Sequence, residues 1–347
     1  LIGRVSGDRF GLFFSGWDSG ELENYLREEF NSFTRNFHVD GVEHTQEFSI
    51  GIAQFPDDAE SLENLFTAAN RALKRSKSMV NQKIAVFRQS DRERLKAEID
   101  ARQQILKALD QDRVRVFYQP IVDARTEEPF MYEALLRVDT ADGRTISVKN
   151  FKEATDDGKI SRRLDRIVLD QALSEFPEFI DRDDVLLAVN LFPPSVIDRG
   201  CFDDINSMLQ DHSLDRERLI IEVPETLMLS HRERASENIQ RAADEYDLQF
   251  ALDDFGVGHG SFKSLNSLPI DFLKIDGTFI QDLPSSAVEQ KFVEMTAGLS
   301  DQMDLTVIGE WIENDETAKL LEDLGVAYQQ GYYYSHPAPG DEWNETG

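Results

Sequence analysis

The chain has 347 residues, 40% of them hydrophobic, enough for two ordinary domains that each bury a core. Its 66 acidic against 37 basic side chains give a formal charge of −29, which argues against non-specific attraction to a nucleic acid polymer or to an anionic membrane surface. One cysteine, Cys201, excludes an internal disulfide and a thiolate metal cage and fits a reducing, cytoplasmic compartment; no window approaches the ~20 apolar residues of a membrane span.

The chain opens in mid-pattern at LIGRVSGDRF without an initiating Met, the start expected of a piece of a longer protein, and a membrane or sensor segment upstream is left open. Residues 4–16 predict a hairpin, with a turn at Ser6-Gly7-Asp8 and an apolar strand from Phe10 to Phe14. A stripe of Leu22, Tyr25, Leu26, Phe30 and Phe33 predicts a helix over Ser19 to Phe37. Glu47 to Phe55 and Lys83 to Phe87 predict strands, and Ser61 to Asn81 a helix capped by Ser61 and ending in basic residues. Residues 1–89 thus form a partial α/β sandwich. Residues 90–112 are charged, with Leu95, Ile99, Ile105, Leu106 and Leu109 as scattered apolar anchors. They predict a helical connector, or else the first helix of the second domain.

From Val114 apolar strands alternate with helices, the signature of repeated βα units. The expected strands are Val114 to Ile121, Met131 to Val138, Leu186 to Leu191, Leu219 to Val223, Gln249 to Leu252, Phe272 to Ile275, Thr306 to Ile308 and Gly331 to Tyr334. Such a count over residues 113–347 suits one (β/α)8 barrel. An open doubly wound sheet is disfavoured because no Gly-x-Gly-x-x-Gly turn follows the first strand.

Barrel enzymes take their working groups from the C-terminal ends of several strands. Here the apolar runs end in, or carry, Glu133, Asn190, Glu222, the pair Asp253-Asp254, Lys274 and Glu310, with Glu225 three residues past Glu222. Each alone reads as a solvated cap or turn residue. In succession they read as a set. Five acids and one amide oxygen, with no His or Cys among them, suit Mg²⁺ or Mn²⁺ and not zinc or iron. Five acids exceed what one divalent ion neutralises, and two ions sharing Asp253 account for the number; such pairs suit in-line displacement at phosphate.

The first domain resembles the C-terminal half of a GGDEF domain, the diguanylate cyclase fold. The likeness rests on RVSGDRF, where that family has Arg-x-Gly-Gly-Asp-Glu-Phe, and on SIGIAQFPDDAESLENLFTAANRALKRSK. Ser6 stands at the first glycine and Arg9 at the metal-binding glutamate. An arginine repels a magnesium ion, so the resemblance implies a degenerate, non-cyclising domain. Residues 114–338 resemble an EAL domain, the cyclic di-GMP phosphodiesterase family. The motifs are FYQPIVD at Phe117 to Asp123, Glu133-Ala134-Leu135, Val189-Asn190, EVPE at Glu222 to Glu225, DDFG at Asp253 to Gly256, LKID at Leu273 to Asp276, GEWIE at Gly309 to Glu313 and QGYYYSHP at Gln330 to Pro337.

The EAL resemblance implies a TIM-like barrel that hydrolyses cyclic di-GMP to linear pGpG and acts as a homodimer. It implies one ion on Glu133, Asn190, Glu222 and Asp253, and a second on Asp253, Asp254 and Glu310. Lys274 would orient the attacking water with support from Glu310 and Gln330, and Glu225 would fix the loop after Asp254. Arg137, Gln119, Asn190 and Asp276 would contact the dinucleotide; pairing of Arg137 with a barrel acid is the other option. The chain departs from the family at Val257, His259 and Gly260 in the loop after Asp254, at Val138, and at Trp311-Ile312, which replaces Gly-Val. A receptor that binds cyclic di-GMP without cutting it is the alternative function, and the intact acids and Lys274 favour the enzyme.

Overall fold

In the computed structural model the described residues are 2–7, 9–31, 36–39, 42–45, 48–78, 83–140, 143–147, 151, 155–257 and 268–345. They divide into two compact units, Leu1–Asp100 and Ala101–Gly347.

In the first unit β1 (Ile2–Ser6) and β2 (Arg9–Leu12) form an antiparallel hairpin that turns at Gly7, whose φ of +49° suits glycine. Asp8 of the expected turn lies outside the described residues. A helix, Ser19–Asn31, follows. It stops short of the expected Phe37, because Asn36–Val39 (β3) pairs antiparallel with Val42–Thr45 (β4), so strand pairing overrides the helical stripe. Strand β5 (Ile50–Ile52) pairs in parallel with β6 (Ile84–Val86), and the helix Leu62–Ser78 connects them. Gly51 makes that packing possible. A Cβ there would sit 2.1 Å from Ala69 O, so helix and strand approach to backbone contact.

The charged segment is a single helix, Gln89–Asp110, which crosses the division between the units. Its last turns belong to the second unit, where Ile105, Ala108 and Leu109 join the main core. That unit contains β7 (Val114–Asp123), β8 (Pro129–Asp139), β9 (Thr145–Ser147), β10 (Leu186–Asn190), β11 (Leu219–Pro224), β12 (Gln249–Phe255), β13 (Phe272–Ile275), β14 (Thr306–Gly309) and β15 (Tyr328–Gln329). The sheet order is β10-β11-β12-β13-β14-β15-β7-β8-β9, and a β10–β8 pairing closes eight of these strands into a barrel, with β9 appended at the β8 edge.

Two features depart from a plain (β/α)8 repeat. Strand β7 runs antiparallel to both its neighbours, β8 and β15. It is joined to β8 by a tight turn around residues 124–128 instead of a helical crossover, and a turn that short permits only antiparallel pairing. The closing strand is Tyr328–Gln329 and not Gly331 to Tyr334. The tyrosine-rich run has strand propensity, yet it forms a turn. Gly331 there lies against Ile312, where a Cβ would meet Ile312 O at 2.0 Å.

The barrel interior is layered. Ile121, Met131, Ala188, Ile220, Ala251, Phe272 and Ile308 come from seven successive ring strands and pack as one apolar plug, with Tyr328 against it. Among the described residues no helix is long and apolar enough to cross a membrane.

Candidate active site

Side chains on a strand alternate faces, so a residue two positions from a plug residue also faces the barrel axis. Two beyond Met131 stands Glu133; two beyond Ala188, Asn190; two beyond Ile220, Glu222; two beyond Ala251, Asp253; two beyond Phe272, Lys274; two beyond Ile308, Glu310; two beyond Tyr328, Gln330. Strand β7 runs the other way. Its contribution, Gln119, accordingly lies two before Ile121. The candidate residues are therefore one layer of the barrel, stacked directly on the plug.

Lys274 is at the centre of this layer and fully buried. Its Nζ is 2.8 Å from Glu310 Oε1, 2.9 Å from Glu222 Oε2, 3.2 Å from Glu133 Oε2 and 3.4 Å from Asp253 Oδ1. Asn190 Nδ2 donates to Glu133 Oε1 at 2.6 Å and Gln330 Nε2 donates to Glu133 Oε2 at 2.8 Å. Burial by itself would depress the lysine, but the four surrounding acids outweigh it and hold Lys274 well above its ordinary range. Burial also works against Glu133, yet Lys274 and the two amides prevail and keep it below the usual carboxylate range. Glu222 is pushed well up by burial and by the adjacent Glu133 and Asp253. Glu310 rises to about 8, chiefly through burial.

The cage thus carries more negative charge than one ammonium balances. Glu222 Oε1 is buried with no hydrogen-bond partner, a cost that a bound cation removes. The donors are all oxygen. Carboxylate oxygens of Asp253, Asp254 and Glu310 lie within 4.8 Å of one another, close enough to share an ion. The residues therefore fit hard divalent cations. The set expected for the other ion, Glu133, Asn190, Glu222 and Asp253, is drawn onto Lys274, apart from Asn190, which is bonded to Glu133.

Adjacent strand residues point to opposite faces, so Asp253 and Asp254 need a special device to act together. The β12–β13 register slips between Leu252 and Phe255, and Asp254 adopts φ +57°, a left-handed conformation that aspartate tolerates better than most residues. Beyond it Glu225, buried at the end of β11, accepts a hydrogen bond from Gly256 N at 3.0 Å. That contact ties down the start of the loop that Glu225 was expected to hold. His259 and Gly260 in the same loop lie outside the described residues.

Four positions on from Glu133, on the same face of β8, Arg137 stands above the cage with its guanidinium 5.7 Å from the Phe117 ring centre. Gln119 is buried, donating to Ser335 O at 3.0 Å and accepting from Gln330 at 3.4 Å. Asp276 sits at the rim, where its carboxylate caps the helix Gly277–Gln281 by accepting from Thr278 N at 2.9 Å. The structure also singles out Trp311, which directly follows Glu310 with a φ of +59°. Its signal in the sequence was an indole at a position the EAL family fills with glycine.

A profile of the EAL domain matches residues 102–337, and one of the diguanylate cyclase GGDEF domain matches residues 1–83. An uncharacterised protein of Mycobacterium tuberculosis is 27% identical over 345 residues, covering 98% of this chain and 55% of that protein. The cyclic di-GMP phosphodiesterase PdeB of Shewanella oneidensis is 26% identical over 348 residues, covering 98% of this chain and 40% of its own. Among solved structures, the PaMucR phosphodiesterase in its c-di-GMP complex superposes with a TM-score of 0.66 at 26% identity, over 70% of this chain and 99% of that one. The chain spans about half the length, or less, of these curated relatives.

Proposed function

From the premise that this chain belongs to the EAL domain family, we propose that its barrel hydrolyses cyclic di-GMP to linear pGpG with two divalent ions. The observation that carries the reading is the Lys274 cage. Four acids, three from different strands and one from just past the end of a fourth, lie within 3.4 Å of one buried ammonium, and the Asp253-Asp254-Glu310 trio stands beside it.

Glu133, Asn190, Glu222 and Asp253 would hold one ion, and Asp253, Asp254 and Glu310 the other. Mg²⁺ or Mn²⁺ bound there supplies acidity to water and charge compensation at phosphate. The chain's own residues do the remaining work. Lys274, relieved of part of its pairing to the acids, orients the attacking water with Glu310 and Gln330. Water oxygen bonds to one phosphorus, the bond from that phosphorus to the ribose O3′ breaks, and the departing oxygen takes up a proton. Arg137 would pair with phosphate and Gln119 would meet guanine. Glu225 keeps the loop after Asp254 in the position that presents both aspartates. Asp276 adds a polar group at the rim.

The first unit acts by regulation, not cyclisation, on this reading. Arg9 is exposed at the start of β2, where the GGDEF pattern has its metal-binding glutamate. A homodimer agrees with Val288 and Met295, which are 75% and 53% exposed and stand two turns apart on the helix Ala287–Asp301. Sedimentation of the purified chain tests that part.

The deciding experiment is turnover of cyclic di-GMP by the 347-residue chain with Mg²⁺ or Mn²⁺, beside Ca²⁺ and Glu133→Ala controls. Metal-dependent pGpG that disappears in Glu133→Ala upholds the hydrolase. Tight binding with no product establishes the receptor instead.

A further inference from the structure

Trp311 lies between two anchored residues. Glu310 before it is buried against Lys274, and Ile312 after it is fully buried, with its N–H donating to Gln330 O at 3.0 Å and its carbonyl accepting from Tyr333 N at 3.0 Å. The backbone at Trp311 is left-handed, a conformation that bulky residues rarely adopt and that persists where the surroundings enforce it. The indole is held from below as well. A Cβ added to Gly277 would fall 2.3 Å from Trp311 Cγ, so the ring rests directly on the Gly277 backbone, beside Asp276. Even so, Trp311 is 48% exposed. A large aromatic residue is thus fixed in place directly after Glu310 of the cage while remaining part exposed.

Its position in the ring of strands indicates what would cover it. Arg137 and Gln119 stand on β8 and β7, whereas Trp311 follows β14 and rests on the end of β13, two to four strands away around the ring. A cyclic dinucleotide whose phosphate lies over the cage extends two flat purines to different sides, and only one of them meets the Gln119 side. We propose that Trp311 is a stacking shelf for the second guanine of cyclic di-GMP. The proposal rests on the hydrolase reading above and adds to it a determinant of substrate affinity. Base-on-indole stacking needs a rigidly held ring, and the Gly277 contact with the buried residues on either side holds this one.

Steady-state kinetics on the full chain, with tryptophan fluorescence during titration of cyclic di-GMP in Ca²⁺, tests it. Trp311→Ala is expected to raise KM about tenfold with kcat held within about twofold, and Trp311→Phe to keep most of the affinity. Cyclic di-GMP should quench the wild-type fluorescence, and Trp311→Phe should abolish the quench although Trp17 and Trp343 remain. Trp311→Gly relieves the left-handed backbone. It should fold as well as the wild type and still show the KM rise, which separates stacking from a merely structural role. Gly277→Ala, which displaces the indole, should share that rise. A chain that cleaves cyclic di-GMP with KM and quench unchanged in Trp311→Ala and Trp311→Phe overturns the shelf alone. A wild-type chain that neither binds nor cleaves it overturns the hydrolase reading and the shelf together.

Discussion

The two units of this chain match two signalling-domain profiles, yet they differ in what their side chains bring together. In the second unit six ring strands, and the residues just past the other two, each contribute an inward polar group one pleat above an apolar plug, and the acids among them meet around Lys274. In the first unit the matching hairpin presents Arg9 to solvent, and among the described residues no acidic trio close enough to hold an ion occurs there. Convergence of acids is what makes their charge costly enough to demand a cation, and among the described residues it occurs around Lys274.

The largest effect expected from a single change is in the second unit. Glu133→Ala should lower turnover of cyclic di-GMP on the order of 10³-fold or more, since the residue serves the proposed metal site and accepts from both Asn190 and Gln330. Arg9→Ala in the first unit should leave kcat within about twofold. Equal losses in the two variants would erase the contrast between the units.

Lys274→Met tests the cage as a stability element. Without metal it leaves the acids facing one another with no cation, and should cost about 3–5 kcal/mol in urea unfolding followed in EDTA. Mg²⁺ should restore part of that loss. A variant as stable as the wild type in EDTA would show that the acids share protons without needing the lysine.

Smaller again is the effect of metal on the intact protein. At a hundredfold excess over Kd, Mg²⁺ or Mn²⁺ should stabilise the unit that binds it by about 2.7 kcal/mol. Hydrogen exchange should locate the added protection at β8, β11, β12 and β14, with none in residues 1–100. Protection appearing equally in both units would contradict the assignment.

The gentlest test is a pH profile at Asp165, which is buried under the turn that follows Asn190, with Phe192 N 3.4 Å from its carboxylate. Burial pushes this carboxyl up to about 8. The folded protein therefore holds a proton that the unfolded chain releases above about pH 4. The associated stabilisation is complete below about pH 4 and is lost as pH climbs toward 8, at no more than about 1.4 kcal/mol per pH unit. Asp165→Asn should flatten that slope in the second unit and leave the first unchanged.

Much of this protein is written in the order of its residues. Apolar runs that end in acids identify the ring strands, because a strand covered on both faces can carry polar groups only where it opens to a site. The absence of His and Cys from those ends sets the preference for a hard cation. The same polar residues recurring at or within successive apolar runs mark Glu133, Glu222, Asp253, Lys274 and Glu310 as one set. The Tyr332-Tyr333-Tyr334 run misled for a physical reason: aromatic propensity is local, while the close passage of Gly331 against Ile312 depends on residues far apart in the chain. Only the tertiary structure could reverse β7, slip β12 so that Asp253 and Asp254 act together, and set Lys274 among four acids. It alone laid Trp311 across Gly277. Each of these depends on which distant backbone comes close, and alternation along a single strand carries no record of that.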